Sequence, residues 1–201
     1  MHFSMDGKKL LSLSFAAIFF AAAPAHAAVV EVSAMYAYSK SQFDEYKSEQ
    51  RRYTGSLEFK FTQVSSIQLE YTDAYSENTG LTTIGSMVLE RTPLLTTYRD
   101  KIYGVNWVQN LVPAKWMVQP YFVIGGGKVF RKASQTRPLV ANDPVITDSQ
   151  NSTTGTIGAG LRIFLLQNMA LKTEFKSYVP DFKIKKWKDN QMLSVGLSWL
   201  F

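Results

Sequence analysis

The chain contains no cysteine, and its two histidines, His2 and His26, both fall within the first 26 of 201 residues. Without cysteine there are no disulfide staples and no thiolate chemistry, so a domain of this size must be held by packing or by closed strand pairing. Histidine is the commonest general base near neutral pH and the commonest metal ligand. If the N-terminal segment is removed, a Ser-His pair, a His-Asp pair that activates water and a His-containing zinc site all become impossible. Long apolar runs are also scarce, and after residue 28 there is no run of convincing helical period. The charge is moderate, at +6 for the whole chain, and with no binding motif it gives no support to a nucleic-acid partner.

The one apolar run that is present explains the N-terminus. Lys8 and Lys9 precede Leu10 to Ala23, which is followed by Pro24 and by Ala25-His26-Ala27. A basic start, a short apolar middle and small residues before a cut are the order of a secretory signal peptide, and the run is short for a spanning helix. Cleavage is expected after Ala27, giving a signal peptide at 1–27 and one domain at 28–201. That mature domain carries 20 basic and 15 acidic side chains. It has neither histidine nor a cysteine that could be lipidated.

From Ala28 onward, apolar and polar side chains alternate in repeated stretches, and a period of two predicts strands. Val30, Val32, Ala34, Tyr36 and Tyr38 oppose Glu31, Ser33, Met35 and Ala37. Tyr53, Gly55, Leu57, Phe59 and Phe61 oppose Thr54, Ser56, Glu58, Lys60 and Thr62. Further strands are expected at about 67–72, 103–108, 116–131, 156–164, 170–178 and 192–201, eight in all. The facing of 116–131 is left open because its alternation is blurred. Long connections are expected at 39–52, 76–98 and 132–153, a medium one at 180–190, and short ones at 64–66, 111–115 and 166–169. The segment 79–98 is too apolar for an ordinary loop, and either extends the third and fourth strands or folds over the barrel mouth.

Alternation alone does not separate a soluble barrel or sandwich from a membrane barrel. Three features favour the membrane. The polar parity mixes small residues with Glu58, Lys60, Glu70, Arg162, Lys172, Glu174 and Lys176, which suits a narrow interior where opposite charges pair across the lumen. Aromatic residues lie on the apolar parity, many near strand ends, as interfacial girdles require. Short turns alternate with long connections, and closure would pair every backbone group within lipid. The expected fold is therefore all-β, a closed antiparallel up-and-down transmembrane barrel of about eight strands.

At this point the chain resembles the small outer-membrane barrels of Gram-negative bacteria of the OmpX, OmpW and OmpA-transmembrane type. The likeness rests on Gln119-Pro120-Tyr121 entering a glycine-rich strand, on Gly158-Ala159-Gly160-Leu161-Arg162, on Ala170 to Phe175, and on the final run Leu193 to Phe201. It implies that Leu193, Val195, Leu197, Trp199 and Phe201 form the signal read by the barrel-assembly machinery. Nothing follows Phe201 where OmpA carries a peptidoglycan-binding domain, so a cell-wall tether is not expected.

Function must be argued from sites, not from the fold. Carboxylates such as Glu58 and Glu70 could pair for catalysis, but structural pairing with Lys60 or Arg162 is the simpler expectation. Gly125 to Gly127 lack the following Lys-Ser/Thr of a phosphate loop. No catalytic residue, cofactor or metal is expected. Arg131, Lys132, Lys183, Lys185, Lys186 and Lys188 could form a basic outer rim that meets lipopolysaccharide phosphates. The expected role is a monomeric structural or surface-interaction protein of the outer membrane, with a narrow channel for small or hydrophobic molecules as the first alternative and a soluble periplasmic barrel as the second.

Overall fold

The computed structural model describes residues 29–43, 46–84, 90–113, 116–136, 145–182 and 191–201. Eight strands follow in chain order: β1 (Val29–Phe43), β2 (Tyr46–Lys60), β3 (Ser65–Ile84), β4 (Glu90–Asn110), β5 (Val118–Thr136), β6 (Ile146–Phe164), β7 (Met169–Pro180) and β8 (Gln191–Leu200). Each strand pairs antiparallel with the next, and β1 pairs with β8 from Glu31↔Leu200 to Tyr36↔Val195, so the sheet closes into a barrel. Closure removes every sheet edge over the paired span, which is what a strand structure needs in lipid.

Parity sets the two faces. Along β2, Arg52, Thr54, Ser56 and Glu58 are buried while Tyr53, Leu57 and Phe59 are exposed. The apolar side chains of this fold therefore face outward and the polar ones fill the lumen, the reverse of a water-soluble barrel.

The short turns and both ends of the described chain lie at one end of the barrel. At the β2–β3 turn, the Thr62 hydroxyl accepts hydrogen bonds from the backbone N–H of Val64 (3.2 Å) and Ser65 (2.8 Å). The Phe201 N–H donates to the Val30 carbonyl at 2.8 Å, tying the last residue to the first strand. By the usual arrangement of such barrels this is the periplasmic end.

The strands run further than the alternation predicted. The segments 39–52, 76–98 and 132–153, expected as long loops, are largely strand. Only 44–45, 85–89 and 137–144 separate β1–β2, β3–β4 and β5–β6 outside the described strands, apart from Val145. A strand needs roughly 9–11 residues to cross the hydrocarbon, whereas β3 and β4 have 20 and 21. Beyond the lipid both faces meet water, so the two-residue apolar period fades while the ladder continues. The backbone of 79–84 and 90–98 thus extends β3 and β4, from Thr79↔Leu95 to Ile84↔Glu90.

The open question of β5 is answered by its register. Gln119, Tyr121 and Val123 turn inward and are buried, while Phe122 and Ile124 turn outward. Its alternation blurs because the inward Tyr121 and Val123 are themselves apolar and pack with Val108 into a small buried cluster. Tyr121 lies against Gly160, its cross-strand partner, where a Cβ would meet the phenol at 2.5 Å. A glycine is required there by close approach, since any larger residue would push the ring across the lumen.

Candidate functional site

Inward parity on β1, β2, β3, β6 and β7 brings a continuous ionic network into the lumen. Arg162 on β6 is fully buried and donates to both Glu58 oxygens at 3.0 and 2.7 Å and to Asn110 Oδ1 at 2.8 Å. Its Nε lies 3.0 Å from Glu31, and Lys60 Nζ lies 2.8 Å from the other Glu31 oxygen, although neither contact has hydrogen-bond alignment. Ser66 donates to Glu58 at 2.6 Å. Lys172 sits between these groups, 3.6 Å from Glu58 and 3.9 Å from Glu31, over the Tyr121 ring.

A second layer lies toward the outer end. Lys176 pairs with Glu70 and with Glu174, the latter at 2.6 Å. Glu174 accepts from the Tyr121 hydroxyl at 3.0 Å, and Glu70 accepts from the Tyr178 hydroxyl at 2.5 Å and from Asn106 at 3.2 Å. Arg52 lies over the Tyr178 ring, 4.8 Å from its centroid. Tyr121 therefore joins the two layers, touching Arg162 by its face and Glu174 by its hydroxyl.

All seven lumen charges named from the sequence, Glu58, Lys60, Glu70, Arg162, Lys172, Glu174 and Lys176, meet in this network. Glu58 and Glu70 do not pair with each other, because each is taken by a different cation. Sequence reasoning missed Glu31, Arg52, Tyr121 and Tyr178. Glu31 shares the polar parity of the first strand, so its facing was readable. Arg52 lies in a segment read as loop, Tyr121 lies on the strand whose facing the alternation leaves open, and Tyr178 stands at the end of the seventh expected strand with no role assigned.

At the outer mouth, Arg131 and Asp100 form a two-pronged pair at 2.8 and 2.6 Å, with the guanidinium over Tyr98. The hydrogen bond to Asp100 raises the Arg131 pKa above its ordinary value, against the opposing effect of partial burial. Arg131 is thus tied into the mouth and is not a free rim cation. Lys132 faces the other way, opposite Arg99 on β4. Lys183, Lys185, Lys186 and Lys188 lie outside the described residues, as do residues 1–28 with the expected cleavage site.

The outer wall carries tyrosine pairs at the level of the outer interface, with Tyr36 against Tyr53 (5.0 Å) and Tyr71 against Tyr103 (5.1 Å). Phe61 and Trp107 pack at 5.2 Å near the periplasmic turns. On β8, Leu193, Val195, Leu197, Trp199 and Phe201 all face outward and are exposed, Phe201 to 74%. Among the described residues there is no group of three or more acidic, histidine or cysteine side chains suited to a metal ion.

Comparison with curated protein sequences gives no match. Solved structures are similar at low identity. The attachment invasion locus protein Ail of Yersinia pestis matches with 16% identity, 87% of this chain, 99% of that one and a TM-score of 0.50. The N-terminal β-barrel domain of Pseudomonas aeruginosa OprF has 16% identity, 87% and 97% coverage and a TM-score of 0.47. Neisserial surface protein A has 14%, 87%, 96% and 0.45. The family model of the outer membrane protein beta-barrel domain matches residues 12–201, which sets aside the soluble periplasmic alternative. The chain belongs to the outer membrane protein β-barrel domain family and is an outer-membrane protein.

Proposed function

We propose that this chain is a non-catalytic, non-conducting structural and surface-interaction protein, which presents its outer strand ends and connections to partners outside the cell. The observation that carries this reading is the filled lumen. An eight-strand barrel has room for little beyond its own side chains, and Arg162, Lys172, Glu58 and Glu31 occupy that room with essentially no exposure. A permeant molecule would have to displace paired charges that water does not reach. The partners that suit this role are outer-membrane lipid and lipopolysaccharide, with the assembly machinery acting on β8 during biogenesis and the folded protein remaining monomeric.

The test is single-channel recording of the mature protein, refolded and inserted in planar bilayers. The expected trace shows no unitary steps. Reproducible step currents from folded protein would overturn the reading and establish the narrow-channel alternative.

A further inference from the structure

Most of the outer wall is covered by side chains, but between β1 and β5 it is hollowed into an apolar groove of about 1160 Å³. Gly55 stands in this groove, and a Cβ added there would meet nothing within 4 Å. Its neighbours do not cover it. Tyr71, directly opposite on β3, leans onto Tyr103, and Tyr53, two residues away, leans onto Tyr36. Glycine weakens a strand interior and usually marks a close approach by something else. Here no part of the described chain makes that approach.

The groove has a polar end. Lys101 on β4 and Lys128 on β5 line it, both exposed and placed diagonally by the registers Lys101↔Phe130 and Tyr103↔Lys128. The acid nearest in register, Asp73, is already held by Arg99 through two hydrogen bonds at 3.2 and 2.7 Å. Neither lysine forms a direct ion pair with a described residue. From these lysines the groove runs toward mid-membrane along Tyr71, Leu69, Leu57 and Val32. The cations lie toward the end away from the short turns, which is the outer-leaflet side.

We propose that this groove is a binding site for one molecule of lipopolysaccharide, with an acyl chain lying in the notch at Gly55 and a lipid A phosphate held by Lys101 and Lys128. Apolar burial gives little drive within a membrane, so association there depends on packing. An unfilled notch forfeits dispersion contacts that a chain lying in it would recover. Phosphate between these two ammonium groups, of which Lys101 also feels the opposite Asp73 carboxylate without a direct ion pair, adds charge-assisted hydrogen bonds. The two lysines lie at the level of the outer leaflet, where the phosphate-bearing lipid is lipopolysaccharide, and a lipid A phosphate monoester carries more charge for them than the single phosphodiester of a phospholipid. This site rests only on the outer-membrane location, and stands whether or not the lumen conducts.

The experiment is native mass spectrometry of the refolded mature protein in detergent, titrated with deep-rough lipopolysaccharide and, separately, with phosphatidylglycerol. Gly55→Leu fills the notch, and a Lys101→Gln/Lys128→Gln double variant removes the charge without altering the wall. Heat-dependent gel mobility checks that each variant folds. Retention of one lipopolysaccharide is expected for the wild type, with affinity weakened roughly tenfold or more in each variant, by loss of charge-assisted contacts in the lysine variant and by exclusion of the acyl chain from the notch in Gly55→Leu, and with weaker binding of phosphatidylglycerol. Wild-type retention by either folded variant overturns the site, as does absence of a retained lipid on the wild type. Equal binding of phosphatidylglycerol overturns the choice of lipopolysaccharide. Should Gly55→Leu fail to fold, the exposed lysine variant decides the matter alone.

Discussion

Arg162 shows how much can depend on one lumen side chain. Its removal leaves Glu31 and Glu58 buried with less than their full complement of positive charge, and breaking a buried pair typically costs about 3–5 kcal/mol. Arg162→Ala should therefore shift the urea midpoint of the micelle-folded protein strongly downward, read by tryptophan fluorescence. Arg99→Ala removes an exposed pair of good geometry and should change stability by no more than about 1 kcal/mol. Equal shifts in the two variants would show that the lumen network is not what holds the barrel. The parity that exposed Arg162 to sequence reasoning is simple, since Ile157, Ala159, Leu161 and Ile163 oppose it on β6. The partner of each charge was not readable, because it depends on strand stagger around the barrel, and Arg162 meets Glu58 across 104 residues of sequence. Glu31 was visible on the polar face yet unassigned for the same reason.

Strand β3 and its partner β4 separate two jobs along one ladder. Their periplasmic halves alternate and face lipid, while their outer halves continue the same pairing register. This is why eight strands and their order were legible while their outer ends were not: the pattern records the solvent on each side, not the hydrogen bonds. If the outer halves contribute little to the barrel, cutting the hairpin back to the pair Thr79↔Leu95 and closing it with Asn-Gly, which favours the tight hairpin turn, should leave the heat-dependent gel shift unchanged. Loss of the shift would mean that the extension is needed for folding. At the other end of the chain, β8 pairs on both sides within the barrel and shows its apolar face outward. Phe201→Ala should refold in detergent as the wild type does, yet accumulate less in the outer membrane of cells. Equal accumulation would remove the proposed role of this face in assembly.

Taken whole, the molecule is a barrel whose lumen hides a connected set of paired charges. Ions in solution screen exposed pairs over about 10 Å at 0.1 M but reach buried ones poorly. Raising salt from 0.1 to about 0.5 M should therefore leave the urea midpoint of the folded protein nearly constant, while weakening capture of lipopolysaccharide by Lys101 and Lys128. A midpoint that falls steeply with salt would place the stabilising charges at the surface. The groove behind this second effect was invisible in the sequence, because Gly55 fits the alternation of β2 without comment. Only the lean of Tyr53 and Tyr71 away from it reveals that the space is open.

Because Val30 and Phe201 are hydrogen-bonded to each other, the two ends of the described barrel lie side by side. A short bridge between those ends, with new termini opened between β1 and β2 near residues 44–45, would keep every strand neighbour while moving β8 from the end of the chain to its interior. Such a permutant separates two properties that the natural order keeps together: whether the barrel can form, and whether a cell recognises where its last strand is. Refolding in detergent reports the first and delivery to the outer membrane reports the second.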